Sequence, residues 1–131
     1  MSLRRIDLHV HSTASDGSDS PAGVVKKAAA VPLAALALTD HDTLDGLPEA
    51  EAEAQSQGIQ FIRGCELSTM EEGEVSGEAH ILGLWLPHDK KRLIELEQTL
   101  EDVRKKREAR NLRMAENLRR LGLPLAYEDV V

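Results

Sequence analysis

Six residues of this chain have the types and placement to hold metal ions: His9, His11, Asp16, His41, Glu66 and His80. Imidazole nitrogens and carboxylate oxygens suit divalent transition metals. His9 and His11 stand two apart in Ile6-Asp7-Leu8-His9-Val10-His11-Ser12, where apolar Ile6, Leu8 and Val10 alternate with Asp7, His9 and His11. A period of two belongs to a β-strand and sends both imidazoles out of one face. Taken alone, the pair fits the polar side of an edge strand equally well. The elements that carry the other four residues decide between the two.

Arg5–Val10 reads as the first strand. Ser20-Pro21 supplies an N-cap and a first-turn proline for a helix running to about Ala30. Leu33–Leu38 is an apolar, buried strand ended by Thr39-Asp40-His41-Asp42, and the alanine- and glutamate-rich stretch 46–57 is a helix closed by Gly58. Residues 59–62 form a third strand, followed by Gly64-Cys65-Glu66-Leu67-Ser68. The charged stretch 70–78 is an exposed turn, and 79–86 is a fourth strand carrying His80. Alternation of strand and helix implies right-handed βαβ units and a largely parallel sheet.

That arrangement gathers the six residues. His9 and His11 sit at the C-terminal end of the first strand, with Asp16 in the loop after it. His41 falls just past the second strand and Glu66 just past the third. In parallel α/β sheets these ends share one rim, where sites are built. The short connection 70–78 makes the fourth strand antiparallel, so His80, at its start, lies on the same rim. Four imidazoles and two carboxylates exceed what one open metal site uses, and suit two or three ions.

Composition sets the frame. At 131 residues the chain is large enough for one domain's core. The single cysteine, Cys65, excludes an intrachain disulfide and fits a reducing compartment. Met1-Ser2-Leu3-Arg4-Arg5 runs directly into the first strand with no long apolar segment, so a soluble, cytoplasmic protein without a membrane partner is expected. Three aromatics (Phe61, Trp85, Tyr127) make stacking on exposed bases an unpromising binding mode. Residues 1–88 hold fourteen Asp or Glu against five Lys or Arg, whereas 89–131 hold nine against eleven. The acidic first part suits cation binding, though a solvated acidic surface gives the same count.

The change of balance marks a boundary near 87–89. Beyond it Leu93, Leu96, Leu100, Val103, Met114, Leu118 and Leu121 recur at steps of three and four, as in an amphipathic helix. Asp89 can cap it and Gly122-Leu123-Pro124 ends it. An unbroken helix over 89–121 would be roughly 50 Å long, which calls for a break or a partner.

Four motifs taken in order, His9-Val10-His11-Ser12 with Ser15-Asp16-Gly17, then Leu38-Thr39-Asp40-His41-Asp42, then Gly64-Cys65-Glu66-Leu67-Ser68, then His80-Ile81-Leu82-Gly83, resemble the PHP (polymerase and histidinol phosphatase) family of metal-dependent phosphoesterases. The resemblance implies that 1–88 is the N-terminal part of a distorted, seven-stranded β/α barrel. It also implies that 89–131 begins an inserted helical segment, a lid or substrate-binding subdomain. By the same resemblance His9, His11 and Glu66 bind one metal, Glu66 bridges to a second held also by His80, and Asp16 and His41 hold a third. Asp16, His41 and Glu66 are the expected catalytic set, acting through those ions. Manganese is the first expectation, with zinc or iron as alternatives. Further family ligands, a histidine and an Asp-x-His pair near the C-terminus, have no counterpart here, so the chain is expected to be part of a longer protein.

Within the family, Arg107-Glu108-Ala109-Arg110-Asn111 and Leu121-Gly122 resemble the branch of nucleoside 3′,5′-bisphosphate phosphatases and 5′-to-3′ exonucleases. The implied substrate is then a phosphomonoester of a small nucleotide or an RNA 5′ end. The alternatives are a histidinol-phosphate phosphatase and a non-catalytic, metal-stabilised PHP domain of a polymerase. Amidohydrolases also open with a strand His-x-His, but Thr39-Asp40-His41-Asp42 and Cys65-Glu66 fit them poorly. Asp40 and Asp42, flanking His41, are expected to orient the imidazoles as outer partners. Asp7 is either such a partner or a solvated residue, and His88 is a surface residue. Cys65 is a buried small residue rather than a nucleophile. Arg107 and Arg110, within the basic run Arg104, Lys105, Lys106, Arg107, Arg110 and Arg113, either receive a phosphate or belong to a solvated face paired with Glu101, Asp102 and Glu108.

Overall fold

A computed structural model of the protein describes residues 5–31, 33–70, 78–123, 125 and 127–129. Residues 71–77 of the expected exposed turn, the first four residues and Pro124 of the expected helix stop lie outside them. The chain forms two compact units, Met1–Ile94 and Glu95–Val131.

The first unit is a four-stranded sheet in the order β1-β2-β3-β4, with two helices. Strand β1 (Arg5–Val10) and β2 (Leu33–Leu38) have the expected bounds. They pair in parallel, and β2 pairs in parallel with β3 (Gln60–Met70) from Ala35↔Gln60 to Leu38↔Arg63. Strand β4 (Glu78–Leu84) returns antiparallel to β3, from Gly64↔Leu84 to Met70↔Glu78. This corrects the sequence reading of β3. It extends well past residue 62, because β4 satisfies the backbone of 64–70 that would otherwise be a loop. Glu66 therefore lies within a strand rather than beyond one.

Local sequence explains the helices. Ser20 adopts extended backbone and its Oγ accepts from Gly23 N at 3.1 Å, opening α1 (Pro21–Ala30) with proline in the first turn. Val24, Val25 and Ala28 form its buried stripe. Helix α2 (Leu47–Gln57) buries Leu47, Ala50 and Ala54 and ends at Gly58, whose φ of +68° suits the left-handed cap.

Alternation along β2 separates two cores. Leu36 and Leu38 point to the face covered by α1 and α2, in a cluster with Val24, Val25, Ala28, Leu47, Ala50 and Ala54. Burying leucines this completely stabilises the fold by about 1.5–3 kcal/mol each. Ala35 and Ala37 face the other side with Ile62, flanked by Leu8 and Leu84. Helices on the outer face of a curled, mainly parallel sheet make this unit the N-terminal part of a distorted β/α barrel.

Asp89 accepts from Lys91 N at 3.0 Å and caps a 3-10 turn over Lys90–Arg92. The second unit is built on α3 (Ile94–Arg120), a single run of 27 residues about 40 Å long, followed by Gly122 at φ +86°. The helix has no interior break, so the expected interruption falls before it, at the 3-10 turn. Among the described residues, no helix is long and apolar enough to cross a membrane.

Candidate metal centre

The C-terminal ends of β1 and β2, the middle of β3 and the start of β4 bring the six residues together. Glu66, only 3% exposed, is the hub. Its Oε2 lies 2.9 Å from His9 Nε2, 2.8 Å from His11 Nε2 and 3.5 Å from His41 Nε2, and its Oε1 lies 3.0 Å from His80 Nδ1. Asp16 reaches in from the loop after β1, with Oδ1 2.7 Å from His11 Nδ1 and Oδ2 3.7 Å from His41 Nε2. Adjacent imidazole centroids are 4.5–5.1 Å apart along the series His9, His11, His41, His80.

Backbone pairing fixes this register. Glu66 N donates to Asp40 O at 3.1 Å and Asp42 N donates to Glu66 O at 2.9 Å, a bridge that locks His41 opposite Glu66. His80 faces Ser68 across the antiparallel ladder, two residues from the pair Glu66–Leu82, which puts His80 and Glu66 on one face. Asp42 makes this turn at φ +51°, a left-handed conformation that aspartate tolerates better than most residues.

The electrostatics follow from the geometry. Burial pushes the Glu66 carboxyl up, but the hydrogen bond from His9 and the charges of His41, His9 and His11 outweigh it and hold the group below its ordinary value. The Asp16 carboxyl is also held low, chiefly by its hydrogen bond with His11. Both are therefore carboxylates near neutral pH. Burial drives the Cys65 thiol up to about 11, and Cys65 is 1% exposed. That is an inert buried side chain.

Three sets of side chains each present ligand atoms within 4.8 Å of one another: His9, His11 and Glu66; His11, Asp16 and His41; and His41, Glu66 and His80. His11, His41 and Glu66 each belong to two sets. Among the described residues, His11 Nε2 and His41 Nδ1 are buried with no hydrogen-bond partner; His11 Nε2 faces Glu66 Oε2 at 2.8 Å without making a hydrogen bond, whereas His41 turns its other nitrogen, Nε2, toward Glu66 and Asp16. A buried lone pair without a proton donor costs free energy unless something else binds it. The donor set, with the unpartnered His11 Nε2 facing it, fits divalent cations.

The outer carboxylates bond to backbone amides and serine hydroxyls. Asp40, 2% exposed, binds the loop after β1: its Oδ1 accepts from Ser12 N and Ser15 Oγ, both at 2.7 Å, and its Oδ2 accepts from Ser12 Oγ at 2.8 Å. The Asp42 carboxylate accepts from Ser68 N at 2.9 Å. Asp7 accepts from the backbone N of His9 at 3.2 Å. All three carboxylates hold backbone in place beside a ligand. Ser12 and Ser15 were not singled out from the sequence, and their only signal was adjacency to His11 and Asp16. His88 is an exposed residue 3.6 Å from Glu51. On α3, Arg107 is half-buried and Arg110 exposed, while Glu101 pairs with Arg104 and Lys105. That pairing matches part of the solvated-face reading.

Comparison with known proteins converges on one family. The chain is 40% identical over 125 residues to a 5′-3′ exoribonuclease of Haemophilus influenzae, and 38% identical over 129 residues to a 3′,5′-nucleoside bisphosphate phosphatase of Chromobacterium violaceum. These alignments cover 95% and 98% of this chain, which spans 43% of the length of each relative. A PolC-type DNA polymerase III of Halalkalibacterium halodurans is 35% identical over 82 residues, or 60% of this chain and 6% of the polymerase. In three dimensions, the structure of an amidohydrolase from C. violaceum with bound sulfate superposes with a TM-score of 0.80 at 38% identity, covering 95% of this chain and 42% of that one. The PHP domain pattern itself matches residues 7–118, a span that takes in all six converging side chains and most of α3, and by that match the chain belongs to the PHP family.

Proposed function

We propose that this chain supplies the metal-binding part of a phosphoesterase that hydrolyses phosphomonoesters of small nucleotides or of RNA 5′ ends. The observation that carries the reading is the convergence of four imidazoles and two low-pKa carboxylates into three overlapping sets, with the buried His11 Nε2 facing Glu66 but in no hydrogen bond among the described residues. His9, His11 and Glu66 would hold one cation, Glu66 and His80 with His41 a second, and Asp16 and His41 with His11 a third. Divalent cations bound there make hydroxide available near neutral pH and neutralise phosphate oxygens.

The chain's own part is to present these ligands ionised and in register. Glu66 is fixed by backbone bonds on both sides. Asp16 is oriented by His11. With Cys65 protonated and buried, no side-chain nucleophile is needed. Residues 89–131 are assigned to the start of a substrate-covering subdomain, with Arg107 and Arg110 as candidate phosphate contacts. The nucleotide branch is favoured over the polymerase reading because its relatives align with nearly the whole chain, α3 included, whereas the polymerase aligns with 60% of it.

The test is phosphate release by the full-length protein loaded with Mn2+. Nucleoside 3′,5′-bisphosphates and 5′-phosphorylated RNA oligomers are expected to be hydrolysed, and histidinol phosphate is not. Release from histidinol phosphate alone would move the protein to that branch, and release from none would favour the polymerase-like, non-catalytic reading.

A further inference from the structure

Asp40 stands beside His41 in sequence, and its carboxylate bonds to the loop after β1. Its carboxylate is 2% exposed and takes three hydrogen bonds of 2.7–2.8 Å from two serines of the β1 loop, 25 and 28 residues away. Such short bonds to an acceptor-only group are strong for their number. The space for the carboxylate is made by glycine: a Cβ on Gly46 would lie 2.7 Å from Asp40 Oδ2. Asp40 is thus seated between the start of α2 and the loop 12–15.

That loop ends in Asp16. Ser12 O accepts from both Ser15 N at 3.0 Å and Gly17 N at 2.9 Å, so the turn hangs from Ser12 and closes around Asp16. Ser12 Oγ, held by Asp40, also accepts from Ala14 N at 3.1 Å. Asp16 itself is exposed, with 65% of its side chain accessible. The His11 ring orients its carboxylate at 2.7 Å, but that contact does not hold the backbone that carries it. Thr13 N donates to Asp19 O at 2.8 Å within the loop, and the bonds to Asp40 tie the loop to the end of β2.

We propose that Asp40 is a positioning residue that clamps the Ser12–Ser15 turn to the end of β2 and thereby holds Asp16 beside His11 and His41 as a preformed ligand. Because His41 follows Asp40 directly, one residue sets the distance between Asp16 and His41, which belong to the same ligand set. The other two sets do not include Asp16. Loss of the clamp therefore weakens one cation and spares the others. This inference rests on the metal-site reading above.

The experiment titrates the metal-free protein with Mn2+, using Asp16→Asn to mark the step that depends on Asp16. Asp40→Ala is expected to weaken that step by about 10–100-fold, the usual cost of losing an outer partner. Ser15→Ala, which removes the bond to Asp40 and a longer 3.3 Å contact from the same hydroxyl to Asp16 Oδ1, leaves both Ser12 bonds to Asp40 in place and weakens the step less. Asp40→Asn keeps one oxygen to accept from Ser12 N and Ser15 Oγ, and falls between wild type and Asp40→Ala. Hydrogen exchange of the metal-free protein gives a second readout: the amides of Ser12, Ser15 and Gly17 lose protection in Asp40→Ala while those of α1 and α2 keep it. An unchanged Asp16-dependent step in all three variants overturns the proposal, as does equal weakening of every step with exchange rising throughout the unit. If wild-type protein binds no Mn2+, the metal-site reading falls, and the three amides alone decide whether the clamp exists.

Discussion

Replacing Gly17 by alanine tests whether the loop carrying Asp16 is as tightly closed as its geometry requires. A Cβ at this position would lie 2.5 Å from His11 O, 2.6 Å from His11 C and 2.7 Å from Ser12 N. All three are backbone atoms, so no side chain can swing aside. Ordinary contact begins near 3.4 Å, and the turn must open by roughly 0.9 Å. Overpacking of this kind costs about 1–3 kcal/mol. Opening the turn also strains the bond from Gly17 N to Ser12 O, worth about 0.5–1.5 kcal/mol net. The expected loss is about 2–4 kcal/mol, read by urea denaturation of the metal-free protein. Gly58→Ala provides the contrast: it has φ +68° with nothing within 4 Å, so only backbone strain of about 1–2 kcal/mol applies. Gly17→Ala should cost more than Gly58→Ala and should also weaken the Asp16-dependent metal step. A Gly17 variant no less stable than the Gly58 variant would refute the steric reasoning.

Further outcomes follow from the same geometry. Glu66→Gln removes a ligand from two of the three sets, so its metal affinity should fall by more than about 100-fold, measured by elemental analysis after dialysis; full retention would exclude Glu66 as a ligand. In the metal-free protein the Asp16 and Glu66 carboxyls lie below their ordinary values, so their contribution to stability is complete above those values and is lost as pH falls through the lower, folded ones. Unfolding free energy should therefore drop on acidification below about pH 5, and less steeply in Glu66→Gln. Cys65, with its thiol at about 11, should resist iodoacetamide at pH 8 in the native state and react on unfolding. Rapid native labelling would contradict its burial.

Much of the site was legible because its residues sit where local sequence is unambiguous. The alternation in β1, the Ser20-Pro21 start of α1 and the apolar run of β2 set their own boundaries. Knowing those ends was enough to expect His9, His11, Asp16 and His41 on one rim. Glu66 was placed on that rim for an incomplete reason. Gly64-Cys65-Glu66-Leu67-Ser68 carries no strand signal of its own and becomes strand only through pairing with β4. The serine partners of Asp40 lie 25 and 28 residues upstream, and no local pattern records a hydrogen bond across that separation. A pair such as Arg104–Glu101, by contrast, lies one turn apart and can be anticipated from spacing.

The contacts among the ligands also bear on how a cation would enter. His9 and His80 each meet Glu66, and His11 meets Asp16, at 2.7–3.0 Å. The carboxylates have no hydrogen to give near neutral pH, so the hydrogen in each bond sits on the imidazole. Those hydrogens act as placeholders: they keep mutually repelling oxygens and lone pairs at coordination distance before any metal arrives. Loading is then an exchange, one divalent ion against several N–H hydrogens that must shift to the other ring nitrogen or leave.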